Sequence, residues 1–390
     1  MNEYFLGAID QQIERGIQLL RLIDSSKPEP EFYLLAHRCR EMVKSAIAEL
    51  EELKNDDLML LPRNQPIRLR RFRSITENLG ILETSGVVAL TRRDAEDRFL
   101  NRLLVNIRDE IDYPLLPPVV TGLSTDYFYI MQGLNLMFVP MNEGSFLLHL
   151  PDLYHELAHP LLWNWHEDQA ESPQVRSYRN SIRQAFILVA MHFEQELDIE
   201  RNNDSSPDEF YFYVLLWKKS WWKWIVEFYC DLFATCTLGP AFAWAHIHLS
   251  MKLGGDPFHV LTSGITSHPA DDARMYVMNH ALTLLDYPSD NVDQLKMRWE
   301  QYTHLVGAVP EREYNRCYPQ SLLNQITEMA LEAIKQAGCR LATPGTEGEV
   351  HSMLNEAWEV FWNNPTSYID WEKQHIELLR QSLGAPKNLK

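Results

Sequence analysis

Two histidines spaced four apart with a glutamate after the first, His155-Glu156-Leu157-Ala158-His159, constrain this chain more tightly than any other feature. A helix stacks residues i and i+4 on one face, so the segment must be helical if both imidazoles are to aim a nitrogen at one point. In that conformation His155 and His159 suit a single tetrahedral ion such as Zn2+. Glu156 stands where a general base can take a proton from a water that the ion acidifies. The plain alternative is an ordinary helix with the same letters and no metal, so corroboration has to come from elsewhere in the chain.

With 390 residues, 45% hydrophobic and 23% charged, the chain has the make-up of a soluble globular protein of one large or two ordinary domains. Acidic residues outnumber basic ones 54 to 36, a formal charge of -18, which disfavours nucleic acid and anionic membrane surfaces as partners. Met1-Asn2-Glu3-Tyr4-Phe5 has no basic stretch ahead of an apolar one, so no signal peptide is read there. The five cysteines, Cys39, Cys230, Cys236, Cys317 and Cys339, form no C-x-x-C pair and fit free thiols in a reducing compartment. The expected location is cytoplasmic. Leu232 to Met251 has the length of a bilayer span, but Gly239-Pro240 interrupts it and His246 and His248 follow. It reads as a turn between two buried helices, with no transmembrane segment in the chain.

The texture predicts a mainly α protein with a small β-sheet, an α+β fold, in three regions: 1–113, 114–288 and 289–390. Phe5, Ile9, Ile13, Ile17, Leu20 and Ile23 recur at helical spacing, and a second helix opened by Pro28-Glu29-Pro30 runs to about Leu53, so the two should pair as an antiparallel hairpin. Ile67 to Arg73 alternates apolar and basic residues and reads as a short strand or extended arm. Its four arginines suit a solvated edge or acidic helices better than nucleic acid. A third helix is expected from about Asp94 to Glu110. After Pro114, Pro117 and Pro118, Tyr127 to Met131 and Leu136 to Pro140 read as strands turned by Gln132-Gly133. The strand directly ahead of the metal helix either offers an exposed edge to an extended peptide or makes ordinary sheet pairs. Pro151-Asp152 opens the metal helix, and Pro160 should kink or end it just past His159.

A helix from Val175 to about Glu200 should follow, then a polar loop, Arg201 to Pro207. Phe210 to Thr237 is an aromatic helix, in which Trp217, Trp221, Trp222, Trp224, Phe228 and Tyr229 read as buried core rather than a ligand platform. Four more helices are expected, about 291–306, 320–337, 347–362 and 367–383.

Two histidines leave a zinc ion short of a third protein ligand. In the metzincin pattern that ligand is a histidine six residues after the second, but Trp165 holds that position, Leu162 stands where the glycine belongs, and His166 is one residue too far. Glu227-Phe228-Tyr229-Cys230-Asp231, more than sixty residues downstream, is the stronger candidate. Glu227 and Asp231 share a helix face inside an apolar run, where carboxylates are rare without a partner. Glu227 can bind the ion while Asp231 accepts a hydrogen bond from the far nitrogen of a ligating histidine. Further on, Ser267-His268-Pro269-Ala270-Asp271-Asp272-Ala273-Arg274 offers His268 as a donor to a developing oxyanion and Arg274 as a partner for a nearby carboxylate. A structural histidine in a His-Pro loop is the plainer reading of His268.

Taken in order, these three elements resemble the gluzincin metallopeptidases of the HtpX-like and CAAX prenyl endopeptidase family, which carry H-E-x-x-H, E-x-x-x-D and H-P-x-x-x-x-R. The likeness covers about residues 118–279. It implies a zincin-like core over 114–288, flanked by helical regions, binding one Zn2+ per chain through His155, His159 and Glu227. Glu156 is then the base, Asp231 stands behind the ligands, and His268 lies near the oxyanion. The chain departs from the family in having Cys230 where alanine is usual, Pro160 after the second histidine, and no spanning helix. The expected function is that of a zinc-dependent endopeptidase, a hydrolase acting on a protein or peptide substrate. The competing reading is a catalytically silent or regulated scaffold that binds a protein partner through its helical flanks, and a third is hydrolysis of a non-peptide amide by the same chemistry.

Overall fold

Apolar residues at every third or fourth position form α1, Asn2–Ser25, and α2, Tyr33–Asn55, which pack as the expected hairpin. Ile9, Leu19 and Ile23 from α1 and Leu35, Cys39, Val43 and Leu50 from α2 are buried in one core. The Pro30–Phe32 turn is 3-10, so α2 itself begins at Tyr33. The structure is a computed structural model and describes residues 2–56, 61–124, 127–162, 172–202 and 208–383. It is mainly helical, 74%, with one small mixed sheet of three strands, the coarse architecture expected.

One expectation fails in this first unit. Residues 67–73 are not a strand but lie in α3, Gln65–Ile81, which runs on through a π-helical stretch, Leu82–Val87. The alternation over seven residues misleads because the pattern that organises the segment is longer: Arg68, Phe72, Ile75 and Leu79 recur at helical spacing and turn inward. Arg68 is buried, with its Nε donating to Leu53 O and its guanidinium over the Phe5 ring at 4.8 Å. Arg71 meets Glu52 on α2 at 3.5 Å, one of the acidic partners expected for this run.

The helix α4 spans Ala95–Glu110. The strands β1, Val119–Ser124, β2, Tyr129–Met131, and β3, Leu136–Pro140, lie in the order β1-β3-β2. β3 pairs parallel with β1 (Val119 opposite Leu136, Thr121 opposite Phe138) and antiparallel with β2 (Tyr129 opposite Phe138, Met131 opposite Leu136). The hairpin turns through Gln132–Leu134, with Asn135 left-handed at φ 50°. β3, the strand directly ahead of the metal helix in sequence, is thus central and offers no exposed edge. Side chains of α4 attend the β1 backbone: Asn101 bridges Val120 N and O, and Asp97 Oδ1 accepts from Gly122 N.

The chain divides into two compact units, Met1–Arg102 with Pro118–Asn142 and Leu383–Lys390, and Leu103–Pro117 with Glu143–Ser382. They do not follow the boundaries drawn at 113/114 and 288/289 from sequence texture. Val119, Leu136 and Phe138 share a core with α1 and α2, so the strands belong with the N-terminal helices.

The second unit holds α5, Asp152–Leu162, α6, Pro173–Arg201, α7, Asp208–Leu238, α8, Pro240–Leu253, α9, Asp271–Leu284, α10, Ser289–Leu305, α11, Gln320–Gln336, α12, Glu349–Asn363, and α13, Tyr368–Ser382. Ser172 caps α6 by accepting from Val175 N. The polar loop expected after it falls largely on 203–207, outside the described residues. α7 is the axis, packed by α5, α6, α9 and α11. Gly239, at φ 86°, separates α7 from α8 as the turn reading requires, and a Cβ there would collide with the Tyr287 hydroxyl. No described helix is long and apolar enough to cross a membrane.

Candidate metal centre

α5 is buried from Asp152 to Leu161, so its histidines are fixed by packing on α7 rather than held out to solvent. Pro160 sits inside the helix, which continues to Leu162. Pro160 has no N–H for the Glu156 carbonyl, and side chains reinforce the helix end. Tyr113 OH donates to Leu157 O at 2.7 Å and Arg179 Nε to Leu161 O at 3.1 Å. The His155 and His159 rings stand 5.3 Å apart, edge to face.

α7 delivers the second set of groups. Glu227 Oε2 is 3.4 Å from His155 Nε2, while Asp231 Oδ1 is 3.0 Å from His155 Nδ1. Arg274, from α9, clamps Asp231 with two charge-assisted bonds, Nε to Oδ2 at 2.7 Å and Nη2 to Oδ1 at 2.6 Å. His159 Nε2 faces Glu156 Oε2 at 3.8 Å, and His159 Nδ1 is 3.5 Å from Cys230 Sγ. His268 is exposed, with its Nε2 3.6 Å from Glu227 Oε2 and its Nδ1 2.9 Å from Ser267 Oγ. The fold therefore brings together His155, Glu156, His159, Glu227, Asp231, His268 and Arg274. Trp165 and His166, the metzincin-type positions, lie outside the described residues.

Burial and charge set the electrostatics. Burial works against a charged His155, but hydrogen bonds to Asp231 and Glu227 outweigh it and raise its pKa to about 10. Burial, with His155 beside it, lowers His159 to about 4. Glu156 is pushed up to about 7 by burial, helped by Glu227 and Asp152, and its Oε2 has no hydrogen-bond partner among the described residues. Burial also opposes ionisation of Glu227, yet His155 brings it down to about 2. Asp231 is held below the carboxylate range against its burial, chiefly by Arg274.

Do these groups fit a zinc ion? Donors bound at about 2.0–2.1 Å at the tetrahedral angle stand about 3.4 Å apart. The His155–Glu227 pair has that separation. Three little-exposed carboxylates, Glu156, Glu227 and Asp231, converge where Arg274 is the one guanidinium bonded to them among the described residues, and Glu156 keeps a buried oxygen without a donor. Both facts suit a divalent cation. Among the described residues the group of three whose donor atoms all lie within 4.8 Å of one another is His155, His159 and Cys230, while the Glu227 carboxylate meets His155 at 3.4 Å without joining that group.

Sequence reasoning missed two contributors. Cys230 enters the sequence reading only as a departure from the usual alanine, although it lies three residues after Glu227 and next to Asp231, on the same face as both. The tryptophans of α7 are buried core as expected, except the exposed Trp222, but their indole N–H groups also tie down the loop that carries His268. Trp217 Nε1 donates to Leu261 O and Trp224 Nε1 to Thr266 Oγ1, whose hydroxyl in turn donates to His268 O. Comparison with protein-family profiles, with curated proteins and with solved structures finds no match.

Proposed function

We propose that the chain is a zinc-dependent endopeptidase with a zincin-like core, similar in its site to the gluzincins, acting on a protein or peptide substrate in an aqueous, reducing compartment such as the cytoplasm. The observation that carries this reading is the meeting of Glu227 with His155 at 3.4 Å, from a helix more than sixty residues away, with Asp231 and Arg274 ranked behind.

His155, His159 and Glu227 would hold the ion. Zinc so bound supplies Lewis acidity to a scissile carbonyl and lowers the pKa of a water. Glu156, beside His159 and with its Oε2 buried, would take a proton from that water and return it to the leaving amine. Asp231 fixes the His155 tautomer by accepting from Nδ1, and Arg274 keeps Asp231 ionised and aimed. His268, exposed beside Glu227, donates to the oxyanion as the carbonyl becomes tetrahedral.

Glu156→Gln tests the assignment, because glutamine keeps the shape and cannot take the proton. Metal analysis of wild type and variant should find about one zinc per chain in both, while cleavage of a peptide library falls by at least about a thousandfold in the variant. Wild-type turnover in Glu156→Gln removes Glu156 as the base. A full complement of zinc with no turnover in either protein favours the scaffold that binds a partner through its helical flanks.

A further inference from the structure

Each metal-facing histidine has two sides, and the two are served in the same way. His155 turns Nε2 to Glu227 and Nδ1 to Asp231, while His159 turns Nε2 to Glu156 and Nδ1 to Cys230. On α7 the residues concerned fall at i, i+3 and i+4, one face of one turn. Glu227 faces the ion position, Cys230 one imidazole and Asp231 the other.

From this correspondence we infer that Cys230 is a positioning residue for His159, its sulfur accepting the Nδ1–H of that imidazole. The inference rests on the metal site proposed above. A neutral histidine that offers Nε2 to a cation carries its proton on Nδ1, and that proton needs an acceptor. The 3.5 Å separation is a hydrogen-bond distance for sulfur, and Cys230 is fully buried, so the thiol is fixed against the ring by packing. A neutral acceptor is also the one the place tolerates. A second carboxylate beside Asp231 would put a further buried charge next to Glu227 and Glu156, with Arg274 already engaged by both oxygens of Asp231. The alternative use of the thiol, direct ligation, would close the site by adding a third or fourth protein donor and leave less room for water. The geometry favours positioning, since the contact of Sγ is with Nδ1 and not with the nitrogen that faces Glu156, and the place of Sγ within 4.8 Å of a nitrogen of each histidine is why ligation has to be tested beside it.

The test is a Co2+ titration followed by absorption, with Zn2+ competition, on the metal-free full chain and three variants. Cys230→Ala removes the acceptor, Cys230→Val removes it while keeping the core filled, and Cys230→Ser restores an oxygen acceptor. Wild type should bind one Co2+. Ala and Val should bind about ten- to a hundredfold more weakly, and Ser should recover most of the loss, the range expected when a partner of a ligating histidine is removed. Urea midpoints of the metal-free proteins separate this from general damage, because Val should unfold near wild type and still bind weakly. Equal affinity of wild type and Val overturns the positioning role. A sulfur-to-cobalt charge-transfer band in wild type that vanishes in Val overturns it in favour of Cys230 as a ligand. Failure of wild type to bind either ion overturns the metal site itself, a result distinct from both.

Discussion

Asp231 serves two donors at once, a guanidinium and an imidazole. It is fully buried, takes both guanidinium bonds of Arg274, and accepts from His155 Nδ1 as well. Burying a carboxylate and a guanidinium costs several kcal/mol each in lost hydration, and their attraction offsets it only while both are present. Removing one partner is therefore worse than removing both. Arg274→Met should lower unfolding free energy by about 3–5 kcal/mol. Asp231→Asn should do the same and also weaken metal binding by about ten- to a hundredfold through His155. The double variant should recover part of the stability and none of the metal affinity. Denaturant unfolding with a metal titration checks this, and additive losses in the double variant would show that the pair is not coupled in the way the bonds imply.

At the scale of elements, the connection from α8 to α9, residues 254–270, has no helix or strand of its own, yet it carries His268 to the site. Its position comes from α7, through the Trp217 and Trp224 indoles, and from Tyr318, whose hydroxyl accepts from Ala270 N. Trp224→Phe keeps an aromatic ring near Tyr318 and deletes the bond to Thr266, a loss of about 1 kcal/mol. Amide exchange in 262–268 should then quicken while α7 amides keep their protection, and peptide turnover should fall more than metal affinity. Uniformly faster exchange across α7 would mean that the indole supports the core rather than the loop. The same elements explain what was legible in advance. Helices such as α1 and α11 declare themselves because their apolar period persists over many turns, and the ligand pairs were readable because His155 with His159, and Glu227 with Asp231, are local spacings. α3 was misread because seven residues support either period. β1 was not read because Val119 to Ser124 makes sense only through its parallel partner β3. The Cys230 contact depends on how α5 crosses α7, which no local spacing encodes.

For the molecule as a whole, buried imidazoles set how it responds to acid. His246 is 2% exposed, with Nε2 at 3.3 Å from Asp271 O and its ring stacked on Trp299. Burial, reinforced by Arg274 and opposed by Asp271 and Asp231, lowers its pKa to about 4. Above pH 6.5 the folded and unfolded chains both hold this group neutral, and it has no effect. As the pH falls below 6.5 the unfolded chain takes up a proton that the folded chain refuses until about 4, so stability declines across that window, by about 2 kcal/mol at pH 5. Other groups move alongside it. Glu156, raised to about 7, is relieved as the pH falls, and Glu227, held at about 2, loses its contribution only below the usual carboxylate range. The total profile is therefore composite, and a difference isolates the one residue. His246→Gln keeps a donor for Asp271 O and cannot titrate. It should be less stable than wild type at pH 7, and that gap should shrink by about 2 kcal/mol at pH 5, because wild type loses a term the variant lacks. Urea unfolding at the two pH values measures it. A gap that does not change with pH would mean that the folded protein protonates His246 as readily as the unfolded chain does, and that the packing of α8 against α9 and α10 leaves room for the charge.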